Sequence, residues 1–539
     1  MIGTNRLSTS KAKKTTLLGS VSVVAGATAF SRILGLIREQ TMAYFFGASM
    51  ATDAFVTAFR IPNLLRDLFA EGALSSAFVP VFKERMVRDG DKAAFSLAQI
   101  VITAVLVVVG AIVLLGIIAA PVIIFISANG FTAEPEKFSL TVDLTRLMFV
   151  YLLLVSLSSV VMGMLNSFGR FGIPALSPAL FNVGIIGSVF ALYHALPMPV
   201  YSLAIGVLVG GLGQLVVQLP PLFKLGFRFR LRFDFLNDAL KRVIRLFLPM
   251  IAGMSAGRVN ILVSTLLASF MIEGAITYLS YAYRLMHLPL GVFAVALGTV
   301  ALPNASEQAA RGDLDGVART LREALGLNMF LVVPAGAFLA LLGSDIVELI
   351  YQWGAFSALD TQQTTLALLH YSYGLIGFAA VRVIVPIYYA LQDSKLPMRV
   401  SIIAVALNLV LYYPFIEILG FAGLAAATSI AALVNFGLLL YFLPRRGVPV
   451  RYATIALNVI RILVAASLAM VLARLVPAVA PVDLSEPLQR IINLLVALAA
   501  GGAAYVLLSY AFRVTELRLL WKRLFKGRKP DSDDGGESS

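Results

Sequence analysis

Residues Ser31 to Pro80 read SRILGLIREQTMAYFFGASMATDAFVTAFRIPNLLRDLFAEGALSSAFVP, a run apolar enough to lie in a bilayer that nevertheless carries eight charges. They are Arg32, Arg38, Glu39, Asp53, Arg60, Arg66, Asp67 and Glu71. An ionised side chain at the bilayer centre costs about 2.5–3.5 kcal/mol on insertion scales, so such residues face a wet interior and a partner. At 100° per residue, Ser31, Arg32, Gly35, Arg38 and Glu39 share about 120° of one helix face. Asp53, Arg60, Asp67 and Glu71 share about 40° of the next, and Pro62 is expected to bend that helix and turn Arg66 toward the same side. The charges could simply pair with one another and hold a bundle together, although buried ion pairs contribute little net stability. Four arginines suit phosphate oxygens, which a guanidinium engages bidentately. The stretch predicts two membrane helices that bind an anionic, phosphorylated ligand.

Outward from this stretch, the composition fixes the class. Of 539 residues, 59% are hydrophobic and 13% charged, and the mean hydropathy is +0.89. This is the composition of an all-α polytopic membrane protein. No cysteine is present, which excludes disulfides, thiolate metal sites and a cysteine nucleophile. The first apolar segment lacks a small-residue cleavage site and runs into the charged stretch, so it reads as a retained helix.

Apolar runs predict helix 1 at 16–45 and helix 2 at 51–85, followed by helices near 93–126, 138–166, 174–194 and 199–221. A basic connection at 222–245 separates these from helices 7 to 12, near 246–271, 277–306, 317–343, 360–391, 397–416 and 421–443. Helices 13 and 14 lie near 452–476 and 488–511. The segment 1–15 and the tail 512–539 flank them, the latter basic and ending in DSDDGGESS, an expected disordered stretch. With both termini and every even-numbered loop in the cytoplasm, the odd loops hold only Lys137, Arg474 and Arg490 of the 43 Lys and Arg. Nine more (Arg32, Arg38, Arg60, Arg66, Arg146, Arg258, Arg284, Arg382, Arg461) fall inside predicted helices. That asymmetry satisfies the positive-inside rule and predicts fourteen spans. Helices 2 and 8 are both long and each carries an Arg, and helices 5 and 11 both follow a basic, proline-containing turn. The chain therefore divides into an N-lobe (16–221) and a C-lobe (246–443) of six helices each, plus two extra helices over 452–511, a common transporter plan.

Catalytic motifs are scarce. His194, His287 and His370 sit in separate segments without ligand spacing, and no phosphate-binding loop, dinucleotide turn or nucleophile elbow occurs. GGLGQ at 210–214 reads as a site of close helix packing. No enzyme activity, cofactor, metal or nucleic-acid partner is expected, and transport cannot be driven by an ATPase domain of this chain.

SRILGLIRE, FGASMATDAF, FRIPNLLRDLFAEGALSSAFVP and, at 282–299, AYRLMHLPLGVFAVALGT resemble the MurJ (MviN) lipid II flippases of the MOP exporter superfamily. The resemblance implies a flippase of the bacterial inner membrane that moves the undecaprenyl-pyrophosphate-linked peptidoglycan precursor outward by alternating access, beside cell-wall synthesis enzymes. It implies that Arg32, Arg38, Arg66 and Arg284 bind substrate, with Ser31, Ala43 and Arg382 along the same path. Glu39, Asp53 and Glu71, with Arg60 and Asp67, form the accompanying charge network. The resemblance further implies that helices 13 and 14 line a groove for the lipid chain. Some members resemble sodium-coupled exporters with carboxylates on helices 7 and 11; the matching positions here are Ser264 and Tyr412, beside Asn408 and Thr428. A site without a carboxylate holds sodium poorly, so Ser264, Asn408 and Thr428 are expected to be a weak remnant of a sodium site and not a site of the usual type. An ion-coupled drug exporter, a carrier of another polyprenyl-pyrophosphate glycan and a non-transporting scaffold are the alternative readings; clustered arginines argue against a carrier of organic cations.

Overall fold

A computed structural model of the chain describes residues 17–66, 74–255, 259–475 and 486–518, and every regular element among them is helical. The first helices are α1 (Leu17–Phe46), α2 (Met50–Arg66), α3 (Leu74–Asp89), α4 (Asp91–Ser127), α5 (Pro135–Ser167), α6 (Gly172–Leu192), α7 (Tyr201–Val216), α8 (Leu219–Lys224) and α9 (Asp238–Ser255). They continue with α10 (Val259–Ala268), α11 (Ala275–Pro289), α12 (Val295–Ala310), α13 (Leu314–Leu341), α14 (Gly343–Tyr351), α15 (Ala358–Ala390), α16 (Lys395–Leu419), α17 (Ala422–Phe442), α18 (Tyr452–Leu475) and α19 (Glu486–Ala511).

Among the described residues, ten helices are long and apolar enough to cross a membrane: α4, α5, α6, α7 with α8, α13, and α15 to α19. They coincide with expected helices 3 to 6 and 9 to 14. The other four expected spans correspond to α1, which bears Arg32, Arg38 and Glu39, to α2 with α3, to α9 with α10, and to α11 with α12. Helix 2 was expected as one run over 51–85; its described residues are helical over Met50–Arg66 and Leu74–Asp89, and Asp67 and Glu71 lie outside the described residues. The helix nonetheless continues for four residues past Pro62. Helix 8 holds a π-helical turn at Leu290–Ala294 directly after Pro289, which has no N–H to continue an i to i−4 ladder.

Two compact units divide the chain. The first holds α1 as far as Met42, then 54–126 and 134–255. Its core packs Phe78 and Phe82 of α3, Phe95 of α4 and Phe149 of α5, with Phe227 from the connection that leads into α9 and Leu240 and Val243 of α9 itself. That connection was expected as a separate linker; instead it lies along the first unit, and α9 starts at Asp238, eight residues before the expected helix 7. Glu84 on α3 takes a bidentate pair from Arg242 at 3.2 and 2.8 Å. Close packing of α6 on α7 explains GGLGQ: a side chain at Gly210 would stand 2.6 Å from the Phe181 carbonyl oxygen.

The second unit holds residues 43–53, 127–133 and the chain from 256 onward. Its core joins α12, α13, α15 and α17 to α18 and α19 through Val317, Leu325, Tyr388, Leu439, Met470 and Tyr505. Helices 13 and 14 are thus integral to this unit; the Tyr505 hydroxyl donates to the Phe330 carbonyl at 2.8 Å. Local signals start its helices. Asp313 caps α13 by accepting from Gly316 N at 2.7 Å, and Ser357 with Asp360 forms a capping box on α15.

Candidate functional site

In the first unit the arginine helix is α1. Arg38 is largely buried and pairs with the adjacent Glu39, Nη2 to Oε1 at 3.1 Å, with side chains 16% and 11% exposed. Its guanidinium carbon lies 5.8 Å from the centroid of Phe181 on α6, within cation–π range. Two turns earlier in α1, the Ser31 carbonyl accepts from Asn182 Nδ2 at 3.0 Å, and Gly35 lies beside the same amide. Phe181 and Asn182 therefore fix the face of α1 that carries Ser31, Gly35 and Arg38. An aromatic stack of Phe55, Phe59, Tyr151 and Phe181 backs that face. Arg32 is exposed and makes no ion pair among the described residues. Arg60 and Arg66 are half-buried on α2. The arrangement presents guanidinium groups from one apolar helical unit, one of them held in orientation, which is what recognition of a planar or tetrahedral oxyanion needs.

In the second unit Asp53 does something its position in the sequence did not reveal. It is 1% exposed, and its carboxylate accepts from Gly274 N at 2.8 Å, Thr277 N at 3.0 Å and Thr277 Oγ1 at 2.7 Å. These are the free donors at the start of α11, where the helix dipole also favours a negative charge. Asp53 was expected in a charge stripe shared with Arg60, Asp67 and Glu71, of which Asp67 and Glu71 lie outside the described residues; its carboxylate also caps α11. Gly274, at φ 82°, is the residue that lets the chain turn there, since a side chain would meet the Ala48 carbonyl. One residue beyond Thr277, the Tyr278 hydroxyl donates to Asp360 Oδ1 at 2.8 Å, tying α11 to the capping box of α15. The neighbouring Glu273 accepts from Met50 N at 2.6 Å. Ala43, in the last turn of α1, is fully buried.

Further along α11, Arg284 is half-buried. Tyr283 beside it packs on His287 at 4.0 Å and on Tyr371 of α15 at 5.5 Å. Arg382 on α15 is exposed and makes no ion pair among the described residues. Ser264, Asn408 and Thr428 do come together. Asn408 Nδ2 donates to Asn260 Oδ1 at 2.6 Å and to the Tyr412 hydroxyl at 2.9 Å; that hydroxyl donates to Asn260 Oδ1 at 3.1 Å and lies 3.4 Å from Thr428 Oγ1. Ser264 stands beside Tyr412. The cluster is neutral, and the Tyr412 hydroxyl occupies its centre. Among the described residues no group of three or more His, Asp or Glu has metal-binding proximity.

Phe181, Asn182, Asn260 and Glu273 escaped the sequence reading. Asn182 and Asn260 had a usable signal: each is an amide inside an apolar helix, where a polar side chain needs a partner. Phe181 had none. Arg258 lies outside the described residues.

Arginine-bearing apolar helices in an all-helical protein of two units have the make-up of a polytopic membrane transporter. A family profile described as lipid II flippase MurJ matches residues 42–517. The lipid II flippase MurJ of Burkholderia cenocepacia is 34% identical over 436 residues, 80% of this chain and 84% of that protein. The chain belongs to the MurJ family. Its structure is similar to that of a lipid II flippase MurJ in an inward closed conformation, with TM-score 0.75 and 26% identity over 91% of this chain and 99% of the other. An inward-facing multidrug-resistance MATE transporter of the MOP superfamily shares the fold at TM-score 0.65 and 14% identity, over 79% of this chain and 98% of its own.

Proposed function

We propose that this protein flips lipid II, the lipid-linked peptidoglycan precursor, from the cytoplasmic to the outer leaflet of the bacterial inner membrane by alternating access. Fourteen spans with both termini in the cytoplasm fit the distribution of Lys and Arg. Arg32, Arg38, Arg66 and Arg284 engage the pyrophosphate and adjacent headgroup during the cycle, with Ser31 and Arg382 along the path. Glu39 holds Arg38 when substrate is absent; Arg60, Asp67 and Glu71 complete the charged surroundings. Cell-wall synthesis enzymes take the precursor once it is exposed. The observation that carries this reading is Arg38, held between Glu39 and the Phe181 ring in an apolar helical unit of a MurJ-family chain. Two phosphate charges moving outward from a negative interior gain about 2.3 kcal/mol each per 100 mV. No carboxylate stands in the Asn260–Asn408–Tyr412–Thr428 cluster, so the cycle runs without sodium at that position.

The deciding experiment measures precursor exposed on the outer face of cells in which this chain is the sole flippase. Depletion, and Arg38→Ala at equal abundance, are expected to abolish exposure while precursor accumulates inside. Exposure unchanged in both strains rejects the function; exposure lost on depletion but kept in Arg38→Ala rejects the arginine site alone.

A further inference from the structure

The connection between α8 and α9 has a pattern that neither helix packing nor substrate handling uses. From Phe227 to Leu236 the chain is non-helical and reads FRFRLRFDFL. Phe227 is buried in the first unit's core. Beyond it, Phe229, Leu231, Phe233 and Phe235 alternate with Arg228, Arg230, Arg232 and Asp234. In an extended chain that alternation sends the two sets to opposite sides. The ribbon is pinned to α4 through its backbone and one side chain: the Arg228 carbonyl accepts from Gln99 Nε2 at 2.8 Å, Arg232 N donates to Thr103 Oγ1 at 2.9 Å, and the Arg232 guanidinium bonds Ser96. Beyond Phe227 the apolar side chains are exposed, and so are Arg228 and Arg230. Phe233 is 66% exposed and Leu236 80%, with Phe229, Leu231 and Phe235 between 43% and 57%. A contiguous apolar row of this kind is foreign to a water-facing surface.

Its depth follows from α4. At 37 residues this helix is about 55 Å long, against a hydrocarbon core of about 30 Å. Its continuous apolar run starts at Ile100, so Asp91 to Gln99 project beyond the core on the α3 side. Ser96, Gln99 and Thr103, the residues that hold the ribbon, straddle that boundary. We infer that the Phe227–Leu236 ribbon is a membrane-interface anchor: Phe229, Leu231, Phe233 and Phe235 enter the headgroup–acyl boundary, and Arg228 and Arg230 bind the phosphates of anionic phospholipids. Aromatic rings and arginines are the residue types that settle at this level. Assigning the ribbon to the cytoplasmic leaflet rests on the orientation proposed above; its contact with lipid does not.

The test uses the full chain in nanodiscs, where both leaflets are accessible and flipping is not read. Phe233→Trp is introduced with Trp353→Phe and Trp521→Phe, so that one indole reports, and Phe229→Trp serves as a second reporter should the first fold poorly. Lipids brominated near the ester end of the acyl chain are expected to remove about half of a blue-shifted emission. Arg228→Gln with Arg230→Gln is expected to weaken that quenching in phosphatidylglycerol discs and to leave it unchanged in phosphatidylcholine discs. A red-shifted, unquenched emission places the ribbon in water and overturns the inference. A blue-shifted emission that brominated lipid does not touch overturns it too, because a second copy or another protein then covers the row. Quenching that ignores both lipid charge and the arginine changes refutes the phosphate contacts.

Discussion

Replacing Asp53 by Asn separates a cap from a cavity acid. The carboxylate serves three donors at the start of α11 from a site that is 1% exposed. Asn keeps one acceptor oxygen but sets an NH₂ group against an N–H of Gly274 or Thr277. Losing a cap costs up to about 2 kcal/mol, and a buried N–H left without acceptor costs about 1–3 kcal/mol. The two overlap, so about 3 kcal/mol is the expected local cost, close to a hundredfold in an opening equilibrium. Hydrogen–deuterium exchange of a peptide covering 271–285 reads that opening directly, and it is expected to speed up by about that factor in Asp53→Asn. Thr277→Val on top of Asp53→Asn adds little, because the two share one set of bonds. Exchange within a few-fold of the parent protein would show that the carboxylate does not hold the helix start. Arg38→Ala is the control: it removes no partner of α11 and leaves this peptide unchanged.

Other outcomes follow from the same geometry. Gly210→Val pushes a branched side chain into the Phe181 backbone and is expected to destabilise the first unit by about 1–3 kcal/mol; thermal unfolding in detergent checks it, and an unchanged midpoint rejects the close α6–α7 crossing. Glu84, in the charged segment outside the membrane, has its pKa lowered chiefly by the hydrogen bond from Arg242, with Arg88 adding to it. A lowered folded-state pKa contributes stability above the ordinary carboxylate range and loses it as pH falls through the lowered value. The midpoint difference between parent and Glu84→Gln should therefore shrink with acidification, and a constant difference contradicts the pair. Exchanging sodium for potassium in right-side-out assays of precursor exposure is expected to leave the rate unaltered; a steep sodium dependence would refute the neutral reading of the Tyr412 cluster.

Most of the fold could be read from apolar runs alone. Ten long helices coincide with expected spans because a bilayer demands about twenty apolar residues in a row, a constraint visible in any window. The π-helical turn after Pro289 was less legible, since composition reports polarity and not where the i to i−4 ladder changes. Arg38 could be singled out because a cation in an apolar helix is conspicuous; its orientation by Phe181 could not, because one Phe among 35 carries no mark. Asp53 shows the limit best. A helical wheel groups it with its neighbours in sequence, while its partners stand more than two hundred residues away.

That separation has a consequence for how the protein is made. Asp53 leaves the ribosome 224 residues before Thr277, an interval of about 10–45 s at ordinary elongation rates. Throughout it, the α1–α2 turn must wait for the helix it will cap, its carboxylate satisfied by water or by the insertion machinery. The joint is therefore closed in the second half of biogenesis. A chain stalled between these two points carries the capping acid without the helix it caps.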